Sequence, residues 1–231
     1  MRPAAVEANP CPGNGAKMVL DDISNLHIVR VGNAISYSSL KMIGDGILAS
    51  FAGMIRKYDL AHHNAPTMAS VDALLLTMIL HEEFGGHTLG ITDADLKTED
   101  ADEFYNSVFG GKNPKNDVAV VSTKKLTPDS LSTDSAYELF IGRTLKVSLH
   151  EIGHNFGLTD HAAYRKAADG QLCPMSRGEF NKFGYKGYVR AIIDGRGMNF
   201  CEECTDFLRR SHGLTDAVVN FFADGLLFSS S

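Results

Sequence analysis

One stretch of this chain concentrates side chains that hold cations: His150-Glu151-Ile-Gly-His154-Asn-Phe-Gly157-Leu-Thr-Asp160-His161. On a helix, residues four apart share a face about 6 Å apart along the axis, so His150 and His154 can grip one divalent ion while Glu151 flanks its open side. His161 is expected as the third ligand. A continued helix would leave it roughly 10.5 Å beyond His154, so the chain must turn back, and Gly157 lies where a left-handed residue can end the helix. Three neutral nitrogens leave a four-coordinate Zn²⁺ one position for water, the arrangement of catalytic rather than structural sites. Such an ion lowers the pKa of its water toward about 7 and polarises a carbonyl. Glu151, as general base, can take the water's proton and pass it to a leaving amine. Peptide-bond hydrolysis is the expected chemistry. A His-Glu-x-x-His string arises by chance only about 0.015 times in a chain of this composition, so coincidence is a poor explanation.

The four cysteines, Cys11, Cys173, Cys201 and Cys204, are too few for a disulfide framework in 231 residues. Cys201-Glu-Glu-Cys204 has metal-pair spacing. A redox pair would want a βαβ context that is not visible, and plain buried thiols would not require the interval. His62-His63 reads as a loop pair, and His81 and His87 as polar residues at a helix end. Asp160 reads either as a residue orienting a ligand or as an exposed turn aspartate.

Around these residues the pattern is that of one domain or a domain of two lobes. Residues 1–18, rich in Pro and Gly, read as an irregular arm; 19–157 as an N-terminal lobe of sheet and helices; 158–231 as a smaller C-terminal lobe. A strand is predicted at Leu26–Val31 and a helix capped by Ser38 or Ser39. A second helix over Val71–Phe84 would bury Leu74, Leu75, Met78 and Ile79. Extended segments follow at Thr88–Leu96, Phe104–Phe109 and Val118–Thr123. A third helix opens with a capping box, Ser135 to Glu138, and carries the histidines. An amphipathic helix is expected from Asp216 to Leu227.

A formal net charge of -6 provides no basic field for a polyphosphate, so nucleic acid is excluded as a partner. The longest apolar run, near Ala73 to Leu80, is far short of the ~20 residues of a membrane helix. The first residues lack the apolar stretch of a secretory signal, and a cytoplasmic monomer with no membrane partner is expected.

At its histidines the chain resembles the archaemetzincins, a branch of the metzincin zinc peptidases whose pattern is HExxHxxGxxH followed by Cys, then Cys-x-Met and Cys-x-x-Cys. Leu89–Leu96, Ser107–Gly110 and Val118–Ser122 are similar to the segments that precede the active helix there, so the likeness runs over residues 87 to 204. The resemblance implies an α+β fold: a metzincin-type twisted mixed sheet backed by helices, an active-site helix and a smaller irregular C-terminal lobe. It implies that Met175, in Cys173-Pro-Met175, floors the metal site, and that Cys173, Cys201 and Cys204 hold a second, structural zinc. The chain departs from the pattern in having Ala162 where the cysteine after His161 is expected. The fourth ligand is then assigned to Cys11, with His212 as an outside candidate. The resemblance also implies an edge strand near Phe104–Gly110 that pairs with an extended peptide or protein substrate. Tyr185 or Tyr188 could assist an oxyanion or simply pack. The competing readings are a catalytically silent zinc protein that only recognises peptides, and a zinc amidase acting on a non-peptide substrate.

Overall fold

The computed structural model describes residues 25–51, 53–98, 108–161, 164–178 and 180–212. The arm at 1–18 with Cys11, residues 104–107 and the helix expected at 216–227 lie outside these described residues.

The centre is a mixed sheet with strand order β2-β1-β4-β7-β6, built from β1 (Asn25–Val31), β2 (Lys57–His63), β4 (His87–Thr92), β6 (Gly110–Lys112) and β7 (Val118–Ser122). The first four in that order are parallel, and β6 runs antiparallel along one edge. A two-stranded parallel annex joins β3 (Ser70–Asp72) to β5 (Asp95–Lys97). Both faces of the central strands are covered, so their side chains are apolar on both sides. Leu26, Ile28, Leu89, Ile91, Ala119 and Val121 point to α1 (Tyr37–Ser50) and α3 (Asp134–Asn155). Val29, Val31, Val118 and Val120 point to α2 (Ala73–Phe84). Beyond α3 the chain forms α4 (Phe180–Tyr188), kinked at Gly184, then a π-helical turn, Val189–Ile193, and α5 (Glu202–His212). Among the described residues no helix is long and apolar enough to cross a membrane.

Several local readings shift. The α1 cap is Ser36, whose hydroxyl accepts from Ser39 N, and the α3 cap is Thr133, which accepts from Ala136 N. Thr88–Leu96 divides into β4 and β5, and His62 and His63 belong to strand β2 rather than a loop. The largest difference is in α2. It buries Ala73, Leu76, Thr77 and Leu80 and turns Leu74, Leu75 and Met78 outward. The sequence Ala-Leu-Leu-Leu-Thr-Met-Ile-Leu is apolar nearly all round, so periodicity cannot select the face; the valines of β1 and β7 do.

Candidate metal centres

Helix α3 is clamped before it reaches the histidines. Arg143 grips Asp194 with Nε and Nη2, each at 2.7 Å, and Lys146 Nζ donates to the Asp194 carbonyl at 2.9 Å. These contacts tie the helix to the end of the π-helical segment Val189–Ile193. At the other end, Lys112 Nζ of β6 donates to His154 O at 3.0 Å, placing a cation at the negative end of the helix dipole. Gly157, at φ 85°, then reverses the chain, with Gly157 N bonded to His154 O and Leu158 N to Gly153 O.

That reversal builds the first donor cluster. His150 Nδ1 donates to Pro174 O at 2.9 Å and His154 Nδ1 to Leu158 O at 2.8 Å, so in the neutral rings both Nε2 atoms carry lone pairs. The two Nε2 atoms are 3.3 Å apart, and Asp160 Oδ1 is 3.3 Å from one and 3.4 Å from the other. Ligands about 2.0–2.1 Å from a tetrahedral zinc stand about 3.3–3.4 Å from each other, so these three atoms fit three corners of one coordination sphere. The Asp160 Oδ1 atom is buried without a hydrogen-bond partner, as expected of an oxygen kept for a cation. Burial drives the His150 pKa well down, which keeps its ring neutral. Burial works against the Asp160 charge, yet the His154 imidazole, whose own pKa the carboxylate raises, and the Arg177 guanidinium hold its carboxyl down at about 2.

Glu151 lies beside this trio, buried against the edge strand. A Cβ on Gly110 would stand 2.7 Å from its Oε1. Burial pushes the Glu151 carboxyl up to about 7, close to where a general base works best at neutral pH.

The second cluster contains His161. The structure does not bring this residue to His150 and His154: its Nε2 lies 3.2 Å from Cys201 Sγ and 3.2 Å from Cys204 Sγ, and Cys173 Sγ is 3.9 Å from Cys204 Sγ. His161 is extended and bridges Ser176, so it and Asp160 point to opposite sides, one into each cluster. Thiolates about 2.3 Å from one zinc stand about 3.8 Å apart, close to the observed sulfur separation and far beyond the ~2.05 Å of a disulfide. The hydrogen bond shared with Cys204 and the N–H groups of Cys201 and Met175 hold Cys173 down to about 5, whereas Cys204 is pushed up by its bond to Cys173. Three neighbouring sulfurs cannot all ionise without a cation, and a divalent metal satisfies that need. Four donors come together without Cys11, and His212 lies elsewhere, against Phe156.

One short strip connects the clusters. Cys173 belongs to the thiolate set, Pro174 O fixes His150, and the Met175 sulfur packs under Gly153, where a Cβ would lie only 2.6 Å from it. Met175 O accepts from His161 N at 2.9 Å, and the buried Arg196 donates twice to Ser176 O, at 3.2 and 2.8 Å. Arg196 has no motif signal, and Gly110 has only its place at the end of the Ser107–Gly110 segment. Asp160 does: in HxxGxxH the third ligand follows the second by six residues, which is Asp160 here, and His161 then stands in the place of the following cysteine. Among the remaining candidates, Tyr185 and Tyr188 pack on Phe109, with ring centroids 5.7 and 5.6 Å from it. His87 is not solvated; it is buried and stacks on Phe156.

The fold and the paired donor clusters together define a mixed α/β protein with two candidate metal centres, in which Glu151 of α3 faces the edge strand β6. The chain belongs to the archaemetzincins, peptidase family M54, whose family model matches residues 17–169. It is 43% identical over 72 residues to the archaemetzincin of Thermococcus kodakarensis, a match covering 31% of this chain and 37% of that protein. It is 32% identical over 123 residues to the archaemetzincin of Methanopyrus kandleri, covering 53% and 55%. The chain thus spans from about a third to just over half the length of these relatives. The crystal structure of the Methanopyrus kandleri archaemetzincin superposes with a TM-score of 0.63 at 23% identity, over 84% of this chain and 97% of that one. A zinc-dependent peptidase from Methanocorpusculum labreanum does so at 0.55 and 20% identity, over 79% and 99%. These two likenesses concern the fold.

Proposed function

We propose that this chain is a zinc peptidase whose catalytic ion is held by His150, His154 and Asp160, with Glu151 as general base. Three mutually facing acceptor atoms at ligand spacing, with a buried carboxylate beside them, carry the reading. When bound there, zinc supplies a Lewis acid for the scissile carbonyl and lowers the pKa of a water. Glu151 takes that water's proton on its carboxylate and returns it to the leaving nitrogen. Pro174 O and Leu158 O hold the two rings so that their Nε2 atoms converge. His161, Cys173, Cys201 and Cys204 hold a second, structural zinc, which fixes the Cys173–Ser176 strip and through it the orientation of His150. An extended peptide lies along β6 and completes its edge.

The test is Glu151→Gln, assayed against a mixed peptide library with zinc measured in parallel. Zinc content should hold at two ions while hydrolysis falls about 10²–10⁴-fold, the contribution typical of a general base. Undiminished hydrolysis with metal bound would end the mechanism. A wild-type protein that binds zinc but cuts no peptide would favour the silent or amidase readings.

A further inference from the structure

The outward face of α2 is apolar, and it adjoins the open edge of β6. Leu74, Leu75 and Met78 are 51%, 52% and 49% exposed. With Ala73, Thr98, Gly111, Lys112 and Pro114 they border a cavity of about 390 Å³. Neither the sheet nor the metal centres require these three side chains to be apolar, since the packed face of α2 is the opposite one.

The register of β6 says what can reach that cavity. Ser122 N donates to Phe109 O and Asn113 N to Val118 O, so residues 109 and 113 direct their main-chain groups toward β7, and by alternation so does Gly111. The N–H and C=O groups of Gly110 and Lys112 then face the other side, where the pairing among the described residues is the bridge of Val108 to Leu96 of β5, just beyond Gly110. Side-chain directions alternate too: a Cβ on Gly110 would meet Glu151, and one on Gly111 would meet Ala73 Cβ at 3.7 Å. A peptide paired along this edge therefore sends alternate side chains toward the metal and toward α2. If it runs antiparallel to β6, the residues passing Lys112 and Pro114 precede those at Glu151, on the amino-terminal side of the scissile bond.

We propose that the face formed by Leu74, Leu75 and Met78 is a substrate pocket that takes an apolar side chain from the peptide, upstream of the bond to be cut. This deepens the peptidase reading and rests on it. Continuity of the cavity with the stretch Gly110–Lys112, which no strand among the described residues pairs on that side and which leads to Glu151, is what commits the face to substrate.

The experiment uses a set of fluorescein-labelled octapeptides in a Ser/Ala background, each with a single Leu moved one position at a time. Binding to zinc-loaded Glu151→Gln protein is followed by anisotropy, so it is read whether or not turnover occurs. The expected result is a gain of about tenfold in affinity at one position or at two alternate positions, the scale of burying part of a leucine side chain. That gain should vanish in Leu75→Ser/Met78→Ser, whose exposed sites leave the melting temperature near that of the parent. Equal binding of all peptides, a preference unchanged in the double variant, or a wild-type dimer that the same substitutions dissociate would overturn the proposal. If the Leu preference stands but active protein cuts none of the peptides, the hydrolytic mechanism fails and the pocket does not.

Discussion

Gly110→Ala tests whether Glu151 acts from the position in which the edge strand holds it. Gly110 has no left-handed backbone, so alanine meets no conformational strain there. Its methyl would nevertheless stand 2.6 Å from Glu151 Cγ, 2.7 Å from Oε1 and 2.8 Å from Cδ. Carbon atoms rest about 3.5–4.0 Å apart, so the carboxylate must withdraw by about 1 Å. Glu151 ends in a rotatable side chain, so the withdrawal is cheap for the fold, and the melting temperature should stay within about 3 °C of wild type, equivalent to about 1 kcal/mol at this size. For the reaction it is expensive, because a misplacement of about 1 Å costs about 10²-fold. The assay is kcat/KM on a peptide found by library digestion, with zinc counted by elemental analysis on the same sample. The expected outcome is two zinc ions, an unchanged melt and kcat/KM lower by about 10²-fold. A value within about threefold of wild type at full zinc content would refute the placement of the base, and loss of zinc together with activity would refute its cause.

His161→Ala should release one zinc and lower the melting temperature by about 10 °C, as loss of roughly 3–4 kcal/mol does in a domain of this size, whereas His161→Cys should retain both ions. Elemental analysis and calorimetry distinguish the two. Asp160→Ala should weaken the other ion by at least about 10²-fold in chelator competition while the thiolate-bound ion stays, since the variant leaves two imidazoles and no third protein ligand. Arg196→Met should lower the melting temperature by about 5–10 °C, because it removes two charged hydrogen bonds of about 1.5 kcal/mol each from a buried carbonyl. It should also reduce kcat/KM through the loosened strip beneath His150, and circular dichroism melts with parallel kinetics check both effects.

What could be read from the sequence divides along physical lines. The common face of His150 and His154, with Glu151 flanking it, is set by helical periodicity alone and was legible, as were the buried strands β1 and β7 with their β-branched runs. The destination of residues 160 and 161 depends on a reversal at Gly157 followed by extended chain, in which a shift of one residue exchanges the two sides. Helical reasoning gave the need for a turn but not the side on which each residue would emerge; the signal that marked Asp160 was the six-residue interval from His154 in the motif. The face of α2 was unreadable for the opposite reason: a helix apolar all round carries no phase, and only the packed valines of the sheet select Leu76 and Leu80 over Leu75 and Met78. Gly110 and Arg196 act through contacts made across 41 and 20 residues of sequence, with Glu151 and Ser176, and such contacts leave no local pattern.

The division of donors between two centres is tested most directly by an anomalous-difference map at the zinc edge from metal-replete crystals. Two peaks are expected. One should be ligated by His150 Nε2, His154 Nε2 and Asp160 Oδ1 with an exchangeable solvent position, and the other by His161 Nε2 and the sulfurs of Cys173, Cys201 and Cys204. A single peak, or His161 seated beside His150 and His154 with Asp160 turned away, would contradict it.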